Sequence, residues 1–204
     1  NDPLGLTADN NPVNELRAGG GLAYLAYSFN AGMRAHRINT RLRALLATGD
    51  RRLSFDEMQA VQGANVLRDA EVLKPHILAA FNGTSTVPEL IALRADPRIV
   101  DAVRRLGSWN GSTPTSSVEA SIYAAWRARM INRVIDAPLG PLPKPDEQDS
   151  IRALRYMLDN FASLRGVGHS GIDFFAAPGI GGSAGDRRDF AVLQGLTEAL
   201  DSVA

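Results

Sequence analysis

The sequence contains no cysteine, which excludes disulfide bonds, thiolate catalysis and zinc sites built from cysteine. It carries no net charge, because 22 lysines and arginines balance 22 acidic residues. Nucleic acid and anionic membrane surfaces are therefore not expected partners, since both require a basic surplus. No run of about 18 apolar residues is present, so we expect no membrane span.

Lysine is also scarce, with only Lys74 and Lys144, so nearly all positive charge is arginine. Together with abundant alanine, this bias is typical of a GC-rich bacterial genome. Residues 1–11 lack a charged segment followed by an apolar one, so they contain no secretory signal. What is present is a chain of 204 residues with 45% apolar content, enough for one globular domain with a substantial core.

The chain changes character near Gly32. Residues 1–31 lack helical periodicity and are interrupted by prolines and by the Gly19-Gly20-Gly21 run, with one possible short strand at residues 4–8. From Gly32 onward, apolar residues recur at helical spacing. We therefore predict a mainly α fold, in which residues 1–31 form an extended edge segment and residues 32–204 form a multi-helix subdomain.

Capping signals divide the helical part into segments. Helix starts are predicted at Ser54, Thr86, Asp96 and Ser116, where a capping residue precedes an acidic residue or a proline. Pro75 should kink or restart its helix, and the four prolines within residues 136–149 predict a connector. The apolar stripes expected to face the core are Ile38, Leu42, Leu45 and Leu46; Met58, Val61 and Leu67; Val72, Leu73, Ile77 and Phe81; Ile99, Val100, Val103 and Leu106; Val118, Ile122, Trp126, Met130 and Val134; Leu154, Met157, Leu158, Phe161 and Leu164; and Phe190, Leu193, Leu196, Leu200 and Val203.

Two polar features are not required by helix packing. The first is the turn at residues 7–12, which contains Asn10-Asn11-Pro12, and the second is the helix start at residues 32–38, which contains Arg34 and Arg37. Taken alone, the first can be an ordinary turn, for which asparagine and proline are favoured, and Arg34 can be a solvated helix arginine. Their order and separation, together with Gln62, Pro75 and Trp109 downstream, allow a more specific interpretation.

In this order the residues resemble the oxyanion segment and the following arginine helix of the penicillin acylase family of N-terminal-nucleophile hydrolases. The resemblance implies that Asn10, the first asparagine of the pair, donates its side-chain N–H to the oxyanion. It implies that Arg34 holds Asn10, the surroundings of the nucleophile's amine, or a substrate carboxylate, while Arg37 is a structural anchor. The family's nucleophile is a serine whose own α-amine is the base, whereas this chain begins with Asn1. We therefore expect an internal β-chain fragment that is inactive when isolated.

The sequence departs from the family pattern at two places. The family often has an acidic calcium ligand between the asparagine pair and the arginine, but residues 24–30 contain no carboxylate, so we expect no cofactor and no metal site. The family's Trp-Asp-Gly element occurs as Trp109-Asn110-Gly111, which keeps the turn-forming chemistry without the charge. Trp109 and the aromatic residues Tyr123 and Trp126 are expected in the core.

The resemblance implies an amidohydrolase that cleaves an acylated β-lactam or an acyl-homoserine lactone through an acyl-enzyme. The expected partners are the small-molecule substrate and the remainder of the same precursor, namely its α chain and the rest of its β chain. It also implies a periplasmic or secreted enzyme. The alternative is a non-catalytic all-α binding or assembly module, which explains the helices equally well but not the order of Asn10 and Arg34.

Overall fold

The structure, a computed structural model, describes Gly19, residues 33–47 and residues 52–203. The predicted extended segment, its short strand and Asn10 lie outside these residues, so the boundary between residues 31 and 32 stays a prediction. The chain divides into two compact units, residues 1–64 and residues 65–204. Each unit is described by itself.

The described part of the first unit contains two helices, α1 (Met33–Leu46) and α2 (Phe55–Gln62). Helix α2 begins with the predicted capping box. The Ser54 hydroxyl accepts a hydrogen bond from the Glu57 backbone N–H at 3.2 Å, and the Glu57 carboxylate accepts one from the Ser54 N–H at 2.9 Å. Two backbone donors at the helix start are thereby satisfied by side chains.

The second unit consists of helices joined by loops, which confirms the mainly α prediction. Within the described residues it contains two isolated β-bridges and no strand. Its elements are α3 (Arg68–Phe81), α4 (Pro88–Ala95), α5 (Pro97–Ser108), α6 (Val118–Ile131), a π-helical segment (Asn132–Asp136), α7 (Ala137–Leu139), α8 (Glu147–Asp159), α9 (Phe161–Leu164) and α10 (Ala184–Val203).

Helix α10 forms the centre of the second unit. It packs against α3, α4, α5 and α6, and no residue from Ala184 to Leu200 is exposed. Gly195 brings the backbone of α10 close to α6, since a β-carbon there would lie 3.0 Å from the Met130 sulfur. On the same face, the Trp126 indole N–H donates to the Val192 carbonyl at 3.1 Å. Trp109, Tyr123 and Trp126 are buried, as predicted.

Helix α6 does not stop at Ile131. The chain continues through the π-helical segment into α7 and ends at Gly140, which has a φ of +55°. The connector predicted over residues 136–149 is therefore shorter, because the first of its residues remain helical and α8 begins at Glu147. Pro138 lies inside this continuous run, directly after the π-helical bond from the Ala137 N–H to the Asn132 carbonyl, so one backbone bond is missing where the π-helical geometry ends.

Several predicted core positions face solvent instead. Five of them are more than 40% exposed, namely Leu46, Met58, Val100, Val118 and Val203, whereas the other members of the α5 and α6 stripes are buried. Val118 is the first residue of α6 and lies at the edge of the core. Leu67 precedes α3 and does not belong to α2, which ends at Gln62. A four-residue spacing identifies a helical face but not where that face stops being covered.

Two predictions about where helices are interrupted are wrong. Helix α3 includes Pro75 and does not restart there. Both Pro75 and Glu71, whose carbonyl would otherwise accept the missing bond, are exposed, so water can satisfy that carbonyl. The single helix predicted through Leu164 is instead divided at Asn160 into α8 and α9.

Helix α10 begins with a reciprocal capping arrangement. The Asp186 carboxylate accepts hydrogen bonds from the Ser183 backbone N–H at 2.7 Å and from its hydroxyl at 2.8 Å. The Asp186 N–H donates back to the Ser183 hydroxyl at 3.2 Å. Hydrogen bonds from Ser85 and Ser183 hold the pKa of the Asp186 carboxyl below its ordinary value. The ionised carboxylate therefore stabilises the start of the central helix.

We predict that Asp186→Ala lowers the free energy of unfolding by about 0.5 to 1 kcal/mol at neutral pH, as expected for loss of one capping interaction. Because the folded-state pKa is depressed, this contribution is present above the ordinary aspartate pKa of about 3.9 and is lost as the pH falls through the lower folded value. Urea denaturation of both proteins between neutral pH and pH 3 measures the difference. A difference that stays constant into the acid range contradicts the assignment.

Candidate functional site

Arg34 lies in the first turn of α1, and its side chain is exposed. Within the part of the chain that the structure describes, no carboxylate pairs with it. Arg41 lies two turns later on the same helix and is half-buried. Asn10 lies outside the described residues, so its proximity to Arg34 stays a prediction.

The Trp109-Asn110-Gly111 element forms a tight turn after α5. The Asn110 side-chain oxygen accepts a hydrogen bond from the Ser112 N–H at 2.9 Å, which is the bond an aspartate would make at this position. Gly111 has a φ of +84°, and its carbonyl accepts from the Leu67 N–H at 2.9 Å. The Lys74 ammonium donates to the Trp109 carbonyl. Asparagine therefore preserves the turn, as predicted, and the turn joins the end of α5 to the start of α3.

A partly buried polar network of the second unit joins α3, α6 and α8. Asp69 on α3 is 5% exposed, and its Oδ2 accepts from the Arg127 guanidinium at 2.6 Å and from the Tyr123 hydroxyl at 3.0 Å. The other end of the Arg127 guanidinium donates to the Glu147 carboxylate at 2.8 Å. One arginine therefore bridges a buried carboxylate and an exposed one.

The ionisation of this network is well defined. Burial and the negative charge of Asp69 raise the pKa of the Tyr123 hydroxyl far above its ordinary value, so the phenol stays protonated and donates. Burial alone would lower the pKa of Arg127, but its hydrogen bond to Asp69 and the charge of that carboxylate outweigh this effect and raise it. The guanidinium therefore stays charged. Its two bonds link α6 to α3 and to the start of α8.

A second polar cluster lies at the C-terminal end of α3. The Arg94 guanidinium donates to the Ala80 carbonyl at 2.9 and 3.1 Å, so a cation caps a carbonyl in the last turn of α3. It also donates to the Ser85 carbonyl in the following loop at 3.2 Å. Asp189 on α10, 8% exposed, lies 3.8 Å from Arg94 and accepts from Arg188 at 2.6 Å. Two arginines thus neutralise the buried carboxylate.

Among the described residues, no group of three or more histidine, aspartate or glutamate side chains is arranged to hold a metal ion. The helices of this part of the chain include none that is long and apolar enough to cross a membrane.

Residues 5–204 match the family described as penicillin amidase. The match includes the asparagine pair, the arginine helix, the Trp109 turn and the whole second unit. This chain belongs to the penicillin amidase family, which is a family of amide hydrolases. No curated protein and no solved structure matches the chain.

Sequence reasoning did not identify the Asp69 network, although part of the signal was available. Tyr123 and Arg127 lie four residues apart on α6 and so share one helical face, next to the buried Trp126. An arginine beside a buried stripe indicates a buried carboxylate partner. Asp69 itself was not distinguishable, because an acidic residue in the first turn of a helix is common for helix-dipole reasons alone.

We predict that Asp69→Ala lowers the free energy of unfolding by about 3 kcal/mol, because it leaves Arg127 and the Tyr123 hydroxyl without their buried partner. Glu147→Ala removes the other carboxylate of the same arginine. Its side chain is 63% exposed, so it should cost about 1 kcal/mol or less. Urea denaturation of the two variants measures the difference, and equal losses would show that the buried bond is not the stabilising one.

Proposed function

We propose that this chain is the helical part of a penicillin-acylase-like amidohydrolase that cleaves an acyl amide through an acyl-enzyme. The family match over residues 5–204, which contains both Asn10 and Arg34, is the observation that carries the proposal. The nucleophile is an N-terminal serine from another part of the same precursor. Its free α-amine, with an ordinary pKa of about 7.7 to 8.0, accepts the serine proton.

Asn10 is proposed to act on the carbonyl oxygen of the substrate. When the serine attacks, negative charge develops on that oxygen, and a fixed side-chain N–H directed at it lowers the barrier. An amide N–H suits this role because its hydrogen bond strengthens as negative charge develops on the oxygen. Asn10 is proposed to contribute mainly in the transition state.

Arg34 is proposed to orient the site. Its exposed guanidinium, which no carboxylate of the described residues pairs with, leaves a planar set of donors available to Asn10, to the region of the nucleophile's amine, or to a substrate carboxylate. The neighbouring turns of α1 carry further arginines that share its charge but not its position.

The substrate is proposed to be a small acyl amide, either an acylated β-lactam or an acyl-homoserine lactone. The remaining partners are the α chain and the rest of the β chain, produced when the precursor cleaves itself. The enzyme is proposed to act in the periplasm or outside the cell and to require no cofactor, because residues 24–30 contain no carboxylate for the calcium ion that relatives often bind.

We predict that Asn10→Ala in the full-length enzyme lowers kcat by roughly 10²- to 10³-fold, the loss typical of one oxyanion donor. KM should change little, because the donor acts on charge that is absent from the ground state. Steady-state kinetics with a chromogenic phenylacetyl or long-chain acyl amide, together with circular dichroism, measure both effects. A near-normal kcat in a folded variant would remove Asn10 from the active site.

A second prediction compares two arginines of α1. Arg34→Lys should reduce kcat/KM by at least about 10-fold, because an ammonium cannot reproduce the planar set of guanidinium donors. Arg41→Lys, two turns along the same helix, should leave kcat/KM within about twofold. The same assay on both variants, with helix content as a control, tests the contrast. Equal effects would mean that the helix as a whole, and not Arg34, is what activity requires.

A further inference from the structure

The dipeptide Asn-Gly occurs twice in the chain, as Asn82-Gly83 and as Asn110-Gly111. Asparagine before glycine is the sequence most prone to deamidation, because glycine has no side chain to hinder attack by its own nitrogen. Each copy follows an aromatic residue and precedes a hydroxyl residue, and both asparagines are exposed. The two copies therefore differ mainly in how the surrounding structure holds them.

Deamidation begins when the backbone nitrogen of the glycine attacks the side-chain carbonyl carbon of the asparagine. A C–N bond forms, and the amide group takes up the proton of the glycine N–H and leaves as ammonia, so that a succinimide ring remains. Water then opens the ring at either carbonyl and gives aspartate or isoaspartate. The reaction requires water, an asparagine side chain that is free to turn, and a mobile peptide bond after it.

Asn110-Gly111 is held on both sides of the reacting bond. The Asn110 side-chain oxygen accepts a hydrogen bond from the Ser112 N–H at 2.9 Å. Gly111 is buried, and its carbonyl accepts from the Leu67 N–H at 2.9 Å. Ring closure has to break these bonds, so deamidation at Asn110 requires local opening of the structure.

Asn82-Gly83 lacks such restraints. Asn82 follows the last residue of α3, and its backbone N–H donates to the Leu78 carbonyl at 3.0 Å. Within the part of the chain that the structure describes, the Asn82 side chain makes no hydrogen bond, and Gly83 and Thr84 make no backbone hydrogen bond. The ψ angle of Asn82 is 0°, so ring closure requires rotation about this bond. Glycine accepts a wide range of φ, so the next peptide can follow that rotation.

Packing explains why glycine follows Asn82. A β-carbon at position 83 would lie 2.6 Å from the Arg94 guanidinium and 3.3 Å from the Asp189 carboxylate. The guanidinium could move aside only by giving up its hydrogen bonds to the Ala80 carbonyl. The glycine that makes Asn82 reactive is therefore also the residue that the Arg94 cap on α3 requires.

We propose that Asn82 is a site of spontaneous deamidation in the folded protein, whereas Asn110 is protected. Isoaspartate carries the main chain through the former side chain, which inserts one extra carbon before Gly83 and displaces it against the Arg94 guanidinium. Arg94 on α4 contacts both α3 and Asp189 on α10. Isoaspartate formation therefore weakens the junction of these three helices. The residues of the proposed amide hydrolysis take no part in this modification.

Peptide mapping by mass spectrometry measures both sites in the same full-length protein, incubated either folded or unfolded in guanidinium chloride. The unfolded chain gives the intrinsic rate of each site, and these two rates should agree within about threefold. In the folded protein Asn82 should convert at least about 10-fold faster than Asn110, because only Asn110 requires local opening. A smaller ratio in the folded protein overturns the proposal.

Variants connect the modification to the helix junction. Asn82→Gln keeps an amide side chain but stops the reaction at this site, because glutamine closes the larger ring far more slowly. After prolonged incubation the Tm of the wild-type protein should fall as isoaspartate accumulates at position 82, whereas Asn82→Gln should keep its Tm.

Asn110→Asp is the matched control, because its carboxylate can accept the same hydrogen bond from the Ser112 N–H. It should leave the rate of conversion at Asn82 unchanged. A wild-type Tm that stays constant while Asn82 converts overturns the proposal, as does an equal fall of Tm in Asn82→Gln.

Discussion

The second unit depends on the burial of α10 along most of its length. A helix without an exposed residue from Ala184 to Leu200 must be covered on every side, and α3, α4, α5 and α6 provide that cover. Gly195 removes the side chain that would otherwise hold α6 away, so that Met130 and Trp126 reach the α10 backbone. Because α3, α4, α5 and α6 all pack on α10, these helices have no complete core without it.

A second constraint comes from ion pairs that link α3, α6 and α8. Helix α8 packs against α3 and α6, and the Asp69–Arg127–Glu147 chain of bonds crosses these three helices. The bonds to Asp69 and to Glu147 differ in how much they contribute to stability, because Asp69 is 5% exposed whereas the Glu147 side chain is 63% exposed. The inner bond specifies how α3 meets α6. The outer bond is screened by water, so the start of α8 can exchange partners at little cost.

Local sequence signals predicted much of this fold. The capping box at Ser54 and the start at Asp96 depend on neighbouring residues only, and they are confirmed. In the predicted α10 stripe Leu193 and Leu196 are buried, whereas Val203 is exposed. Signals that depend on tertiary context were less informative. Val118 belongs to a regular stripe yet faces solvent, since periodicity does not show where a covering helix ends. The buried partner of Arg127 lies 58 residues earlier, a distance at which no sequence pattern operates. Asn10 and Arg34 came from family resemblance, and their juxtaposition stays a prediction.

A cavity between the end of α6 and the start of α8 follows from the way the chain leaves α6. The π-helical segment prolongs the helix to Leu139, and the positive φ of Gly140 then ends it. Pro141, Pro143 and Pro145 restrict the connector and remove backbone donors, so it cannot fold into another helix. Lys144 takes over as donor to the carbonyls of Asp136 and Gly140, which holds the connector at the end of the helix and away from the α6–α8 contact. The bonds that satisfy the end of the α6 run therefore leave a cavity between this end and the start of α8.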